Sequence, residues 1–165
     1  MSKVGCLKNF CKMLFNSNLQ ISTDRGNICR SPTAEEVLRV HARRAGLVLQ
    51  LDSAGTENYH LGEPPDVRSI RHAAKRGYDL SGLRARQVGP DDFRDFDLLL
   101  AADTLNLGVL RDLCPPEHHG KLALFLGDRA LPDPYYGEAT DFEKVLDMVE
   151  KRADSLIAAW SRATD

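Results

Sequence analysis

The amino-acid sequence predicts a three-layer α/β fold in which helices flank a four-stranded parallel sheet. Short apolar runs of strand length alternate with segments in which apolar residues recur at helical spacing. Residues 19–51 read as a βαβ unit, whose crossover is expected to be right-handed. A long amphipathic segment over about residues 141–160 must lie along the sheet to bury its apolar side. At 165 residues the chain is expected to form one domain.

The first half of the chain supplies two of the predicted strands. The first covers residues 19–23, although two polar residues make it poorer than a fully buried strand should be. A helix over residues 32–45 should end at Gly46, and a second strand over 47–51 follows. The predicted helix has Ala34, Leu38, Ala42 and Ala45 on its apolar side and Glu35, Glu36, Arg39 and Arg43 on the opposite side.

The second half supplies the other two strands. A helix over about residues 66–76 precedes a continuous apolar strand over 97–102. Thr104 is predicted to cap a helix that runs to Leu113, and a buried strand follows over 121–126. Four histidines have no partner spacing and are expected at the surface: His60, His72, His118 and His119.

Composition and charge exclude several classes of partner. The formal net charge of -2 gives no general attraction to nucleic acid or to an anionic membrane. No apolar run approaches the roughly 20 residues that a membrane helix needs. The four cysteines show no zinc-like pairing, so we expect reduced thiols in a cytoplasmic protein without an anchor.

The turn Gly26-Asn27-Ile28-Cys29-Arg30-Ser31-Pro32 lies between the first predicted strand and the first predicted helix. A glycine-led turn that enters a helix gathers backbone N–H groups and the positive end of the helix dipole around one point. Arg30 can grip two phosphate oxygens, Ser31 is predicted as the N-cap, and Pro32 suits the first helical position. The pattern favours a phosphate-binding cup, although such residues also form plain strand-to-helix turns.

A second polar loop, Asp133-Pro134-Tyr135-Tyr136-Gly137, follows the fourth predicted strand and could fold over the cup. Its proline fixes the backbone after the aspartate, and the two tyrosines supply flat walls for an aromatic ligand. An acid held over a phosphate suggests protonation of a leaving group. Taken alone, Asp133 is also a usual residue to begin a turn before proline.

From Gly26 onward the chain resembles the low-molecular-weight protein tyrosine phosphatases. The similarity lies in the two loops above and in the blocks Asp52-Ser53-Ala54-Gly55-Thr56, Gly62-Glu63-Pro64-Pro65-Asp66 and Ala102-Asp103. The resemblance implies a parallel sheet with a phosphatase-type phosphate loop after the first strand. It also implies a cytoplasmic enzyme that hydrolyses phosphotyrosine in proteins and small aryl phosphates, with no metal or other cofactor.

The resemblance also implies roles for individual residues. Arg30 and the backbone amides of the turn would hold the phosphoryl oxygens, and Asp133 would protonate the departing phenolate. Asp103 would help to orient the arginine. Asn27 would keep the turn in its strained shape, and Ser31 would stabilise an anionic nucleophile. The predicted substrate-binding residues are Gly26, Asn27, Ile28, Cys29 and Ser31 of the turn, with Tyr59 and Tyr135 or Tyr136 flanking the aryl ring.

The nucleophile position departs from the family pattern, because Asp24 stands six residues before Arg30 where the family has a cysteine. The thiolate performs the covalent step, and Cys29 cannot take its place without rebuilding the turn. A carboxylate in the cup would repel a phosphate dianion by on the order of 4 kcal/mol per unit charge at roughly 4 Å, before screening. The sequence therefore predicts a phosphatase with impaired turnover. The alternative is a non-catalytic module that binds phosphotyrosine or another oxyanion.

The chain before Gly26 also departs from the family's usual opening, an apolar strand that runs straight into the cysteine. Residues 1–18 are predicted to be an atypical N-terminal extension, and residues 19–165 the phosphatase-like domain. Three explanations stay open: a natural paralogue that lost catalysis, an altered chain, or a misassigned start or frame. An arsenate reductase of similar fold would need more cysteines for a disulfide relay, and Cys114 is the only one after the turn. The sequence predicts no oligomeric state.

Overall fold

In the computed structural model of the protein, residues 18–22 and 25–163 are described, the first five by their backbone alone. Four strands in this part of the chain are β1 Asn18–Ser22, β2 Gln50–Ala54, β3 Leu98–Ala101 and β4 Leu122–Leu124. They form one parallel sheet in the order β2-β1-β3-β4. The predicted α/β class with a parallel sheet is confirmed.

Helices cover both faces of this sheet. They are α1 Arg30–Arg44, α2 Val67–Ala74, α3 Pro90–Asp95, α4 Thr104–Leu113 and α5 Ala139–Ala163, with a 3-10 helix at Pro116–Lys121. Successive residues of β3 point to opposite faces, so Leu98 and Leu100 join one core and Leu99 and Ala101 the other. The first core is formed mainly with α1 and α5, and the second with α3 and α4.

The position of β1 in the interior of the sheet determines where the turn over residues 26–32 lies. Leu19 of β1 pairs with Leu51 of β2 and with Leu98 of β3. In the strand order β2-β1-β3-β4, the connection after β1 and the connection after β3 run toward opposite edges of the sheet. Ligands bind at such switch points, beyond the carboxyl ends of the strands. The turn that follows β1 lies at this edge.

Several predicted boundaries were wrong. β2 begins at Gln50 rather than at residue 47, because Leu47 and Leu49 pack against the core before the ladder begins and Val48 is 94% exposed. Helix α4 is capped by Asp103, whose carboxylate accepts the Asn106 N–H at 2.8 Å, and not by Thr104.

Helix α1 also differs from its prediction. It begins at Arg30, so Ser31 lies inside the first turn and is not the N-cap, and Pro32 is not the first helical residue. Glu35, predicted on the polar face, is buried, whereas Ala45, predicted on the apolar face, is exposed. The cause is that the first two turns of α1 are enclosed by the rest of the protein.

Two further features were not predicted. The short helix α3 was missed because six residues carry too little periodicity to recognise. His72 is buried, contrary to prediction, because its ring stacks on Phe142 and bonds to Glu143 of α5.

The N-terminal extension was predicted over residues that, up to residue 17, lie outside the described part of the chain. Among the described helices none is both long and apolar enough to span a bilayer.

Candidate active site

Asn27 fixes the shape of the turn between β1 and α1. Its φ of 58° lies in the left-handed region, which asparagine tolerates better than most residues. The side-chain amide donates to Ser31 Oγ at 2.7 Å and to Ser53 Oγ at 3.0 Å, and its oxygen accepts the Arg86 N–H at 3.1 Å. All polar atoms of this buried amide thus have partners, which hold the turn in one conformation.

Arg30 lies at the floor of the site and is only 4% exposed. One guanidinium nitrogen donates to Asp103 Oδ2 at 2.9 Å and to the Leu131 carbonyl at 2.8 Å. The other terminal nitrogen lies 3.6 Å from Asp133 Oδ2. Because Asp103 is also the N-cap of α4, the same carboxylate caps the start of a helix and positions the arginine.

The loop that carries Asp133 lies against Arg30 and is held from the side by Arg68. The Asp133 carboxylate accepts the Tyr135 N–H at 3.1 Å, and its side chain is 47% exposed. Arg68 donates to the Tyr135 carbonyl at 2.9 Å and stacks over the Tyr135 ring. Arg68 also bonds to the N-cap Asp66, which lowers the pKa of that carboxyl. No sequence motif indicated Arg68, since only the folded loop brings it to Tyr135.

These groups surround a cleft of about 550 Å³, a volume typical of small-molecule sites. The predicted residues that line it are Gly26, Ile28, Cys29, Arg30, Tyr59, Asp103, Asp133, Tyr135 and Tyr136. The rings of Tyr135 and Tyr136 meet edge to face at 4.8 Å between centroids. Asn27 and Ser31 lie buried behind the turn and are not lining residues. Asp24 lies outside the described residues.

Seven residues that were not predicted as site residues also line the cleft: Arg25, Thr56, Glu57, His60, Leu105, Asn106 and Val109. A Cβ on Gly26 would overlap the His60 ring, so this glycine lets the ring lie against the turn. The His60 side chain is 30% exposed and bonds to Glu63.

A polar chain behind the turn reaches a buried carboxylate. Ser53 donates to Glu35 Oε2 at 2.6 Å while it accepts from Asn27. Burial raises the pKa of Glu35, although its bonds to Ser53 and Arg39 act in the opposite direction. The Asp52-to-Thr56 block was the only sequence signal for this network, and it did not indicate that Glu35 was the partner.

The end of β2 passes directly beneath the turn at Gly55. A Cβ there would lie 2.9 Å from the Arg25 carbonyl oxygen and 3.1 Å from the Asn27 nitrogen. These are backbone atoms that cannot swing aside, so glycine is needed for this close approach.

Residues 21–164 match the family model described as low molecular weight phosphotyrosine protein phosphatase. The chain belongs to this family. Low molecular weight phosphatases act on phosphotyrosine substrates. The match begins at residue 21, ahead of the Gly26 at which the sequence resemblance was placed.

Similar proteins come from several different organisms. A low molecular weight protein-tyrosine-phosphatase of Streptomyces coelicolor is 41% identical over 145 residues, covering 81% of this chain and 88% of the relative. A crystal structure of an Entamoeba histolytica protein tyrosine phosphatase with Hepes in its active site is 32% identical, with a TM-score of 0.84. It covers 90% of this chain and 100% of that one. The crystal structure of YfkJ from Bacillus subtilis is 31% identical, with a TM-score of 0.82, and covers 91% and 98%.

No group of three or more histidine, cysteine or acidic side chains suited to a metal occurs within the described ranges of this phosphatase-family chain. The charged and aromatic groups that line its cleft are two arginines, three carboxylates, one imidazole and three phenol rings.

Proposed function

We propose that this chain is a protein tyrosine phosphatase that binds phosphotyrosine and small aryl phosphates in the cleft, and that Asp24 severely impairs its turnover. The buried Arg30 carries the binding part of this proposal. Its guanidinium is fixed by Asp103 at 2.9 Å and by the Leu131 carbonyl at 2.8 Å before any ligand arrives. Donors fixed in this way stabilise developing phosphoryl charge without paying for reorganisation.

Asp133 is the acid of the proposed reaction. As the nucleophile at position 24 bonds to phosphorus and the bond from phosphorus to the phenolic oxygen breaks, the leaving oxygen takes the proton of Asp133; water then attacks phosphorus and releases phosphate from residue 24. The half-exposed carboxyl lies 3.6 Å from Arg30, at the open side of the cleft, where a leaving group would depart. Tyr59 and Tyr136 line the same cleft and would contact the departing ring.

Impairment follows from the chemistry of residue 24. A thiolate attacks phosphorus readily, whereas an aspartate would have to form an acyl phosphate without a metal to offset the charge. Arg30 already lies near two carboxylates, Asp103 and Asp133. A third carboxylate would leave less positive charge for a phosphate dianion, so both binding and turnover should fall.

The second candidate, a module that binds phosphotyrosine without turning it over, is favoured by the same substitution. It keeps the guanidinium, the turn amides and the aromatic walls, and it omits only the covalent step. A relative with this fold, Wzb of Vibrio vulnificus, was solved in complex with benzylphosphonate, an aryl ligand with a non-transferable phosphoryl group.

The decisive experiment is Asp24→Cys, assayed with 4-nitrophenyl phosphate. Loss of a nucleophile costs other covalent enzymes up to about 10⁶-fold in kcat, so restoring one should raise turnover by about 10³-fold or more. Arg30→Ala in the same background should remove the gain. Background turnover in folded Asp24→Cys protein would show that more than the nucleophile is missing.

The parental chain separates the two candidates. Hydrolysis above that of an Arg30→Ala control identifies a slow enzyme. Saturable binding of phosphotyrosine in calorimetry, with no hydrolysis above the control, identifies the binding module.

A further inference from the structure

One wall of the cleft has an aliphatic surface that the proposed chemistry does not use. Three tyrosines can face an aryl ring, whereas α4 contributes Leu105 and Val109. Leu105 is 74% exposed and Val109 is 37% exposed, and neither is part of a core cluster. The helix packs on the sheet through Leu110 on its other side, which is fully buried. Leu105 therefore contributes almost nothing to the core.

Leu105 and Val109 belong to a row along α4. Leu113 continues it at the same four-residue spacing and is also exposed, so the three side chains share one side of the helix. At 1.5 Å per residue the row is about 12 Å long. It begins next to the cup, because the N-cap of α4 is Asp103, which bonds to Arg30. Isolated exposed apolar residues are ordinary, but a row that begins inside an anion-binding cleft is placed to contact a ligand.

We propose that Leu105 and Val109 bind an apolar side chain of a phosphotyrosine-containing peptide and give the protein a preference for such peptides. This inference rests on the proposed function of the cleft. An extended peptide rises about 3.3 Å per residue and points alternate side chains to the same side. The row therefore spans roughly four peptide residues. The preferred apolar residue lies about two to four positions from the phosphotyrosine.

A peptide fits this surface better than a second copy of the chain. The row is continuous with the cleft, so a folded partner seated on it would close access to Arg30. Three side chains also offer far less area than the roughly 800 Å² per partner of a stable interface. A peptide anchored by its phosphate needs only a small additional contact.

The test is fluorescence polarisation of labelled peptides with the unmodified chain and with Leu105→Ser. One phosphotyrosine peptide carries leucine two and four positions from the phosphotyrosine on both sides, and a matched peptide carries serine there. The unmodified chain should bind the leucine peptide about tenfold more tightly, the gain expected for burying part of one aliphatic side chain. Leu105→Ser should reduce this ratio to near one. Val48→Ser, at a position 94% exposed and outside the cleft, should keep the tenfold ratio.

Every other result counts against the inference. Equal affinity of the unmodified chain for both phosphopeptides overturns it and leaves the proposed function standing. A preference that persists in Leu105→Ser and in the second variant, Val109→Ser, also overturns it. If no phosphopeptide binds better than its unphosphorylated form, the proposed function fails and the inference fails with it. Self-association that Leu105→Ser abolishes without changing the ratio would identify a second copy as the occupant.

Discussion

The hydrogen-bond chain behind the phosphate turn predicts a large effect for a one-atom change, Ser53→Ala. This substitution removes the hydroxyl that donates to Glu35 at 2.6 Å and accepts from Asn27 at 3.0 Å. Ser53 is only 4% exposed, so bulk water has little access to the atoms that lose a partner. A hydrogen bond to a charged group contributes about 1.5–3 kcal/mol, and a neutral one about 0.5–1.5 kcal/mol. Asn27 keeps Ser31, and Glu35 keeps Arg39, so part of the loss is offset.

We therefore expect Ser53→Ala to lower the free energy of unfolding by about 1.5–3 kcal/mol. For a domain of this size Tm should fall by roughly 3–12 °C. Urea denaturation followed by circular dichroism measures the change. Ser155→Ala is the matched control, because Ser155 is exposed on α5 and its hydroxyl donates to the Lys151 carbonyl of the same helix. Its effect should stay within about 0.5 kcal/mol.

The same hydrogen-bond network predicts a pH-dependent effect for a second substitution, Glu35→Gln. Burial raises the pKa of Glu35 above its ordinary 4.5, so the folded protein holds this proton more tightly than the unfolded chain does. The stability that Glu35 contributes is fully present below its ordinary pKa and is lost as pH rises through the pKa in the folded protein. The stability of the parental chain relative to Glu35→Gln should therefore fall as pH rises from about 4.5. If Ser53→Ala destabilises the protein no more than Ser155→Ala does, the network does not contribute to stability as argued. If the stability difference between the parental chain and Glu35→Gln does not change with pH, the titration of Glu35 does not contribute as argued.

Two further predictions concern other parts of the molecule. Gly55→Ala should destabilise the protein by about 1–3 kcal/mol and weaken phosphate binding, because its Cβ would lie 2.9 Å from the Arg25 carbonyl oxygen. Gly108→Ala, in α4 with open space around the new Cβ, should instead stabilise the protein by about 0.5–1 kcal/mol. Equal effects of the two substitutions in thermal melts would contradict this account. Burial and a bond to Glu150 raise the pKa of Tyr78 to about 12, so the free energy of unfolding should fall as pH rises from 10 toward 12. Tyr78→Phe should make that fall smaller. If denaturation at pH 9 and 11 shows the same loss of stability in both proteins, this prediction is wrong.

The elements that the sequence predicted well are those in which burial alone dictates the residue pattern. The four residues of β3 are all buried, so the strand had to read as a continuous apolar run. Helix α5 lies along the sheet with one side buried, so its apolar residues recur at helical spacing over many turns. In both cases the pattern repeats long enough to outweigh any single exception.

The errors arose where a contact distant in sequence decides the outcome. A helical wheel placed Glu35 with the solvent-facing charges, since the wheel cannot show that Ser53 of β2 lies opposite. Thr104 is an acceptable cap by type, but Asp103 next to it takes the position and bonds to Arg30 as well. For the site, motif order indicated which residues would meet in the cleft. It could not indicate Arg68 or Leu105, because neither belongs to a motif and each reaches the site only through the packing of its helix.

The geometry of the turn also determines how informative a change at residue 24 will be. Asn27 is bonded to Ser53 at the end of β2 and to the backbone of Arg86, and Arg30 is bonded to the cap of α4. These contacts tie the turn to β2, to the backbone of Arg86 and to the start of α4, so other strands and loops of the sheet help to set the shape of the turn. Asp24→Cys replaces none of these residues, so it tests the charge and the nucleophile of the site directly. If Asp24→Cys restores turnover, the loss in the parental chain is chemical; if it restores only phosphate affinity, the strand that leads into the turn is the part that must be corrected next.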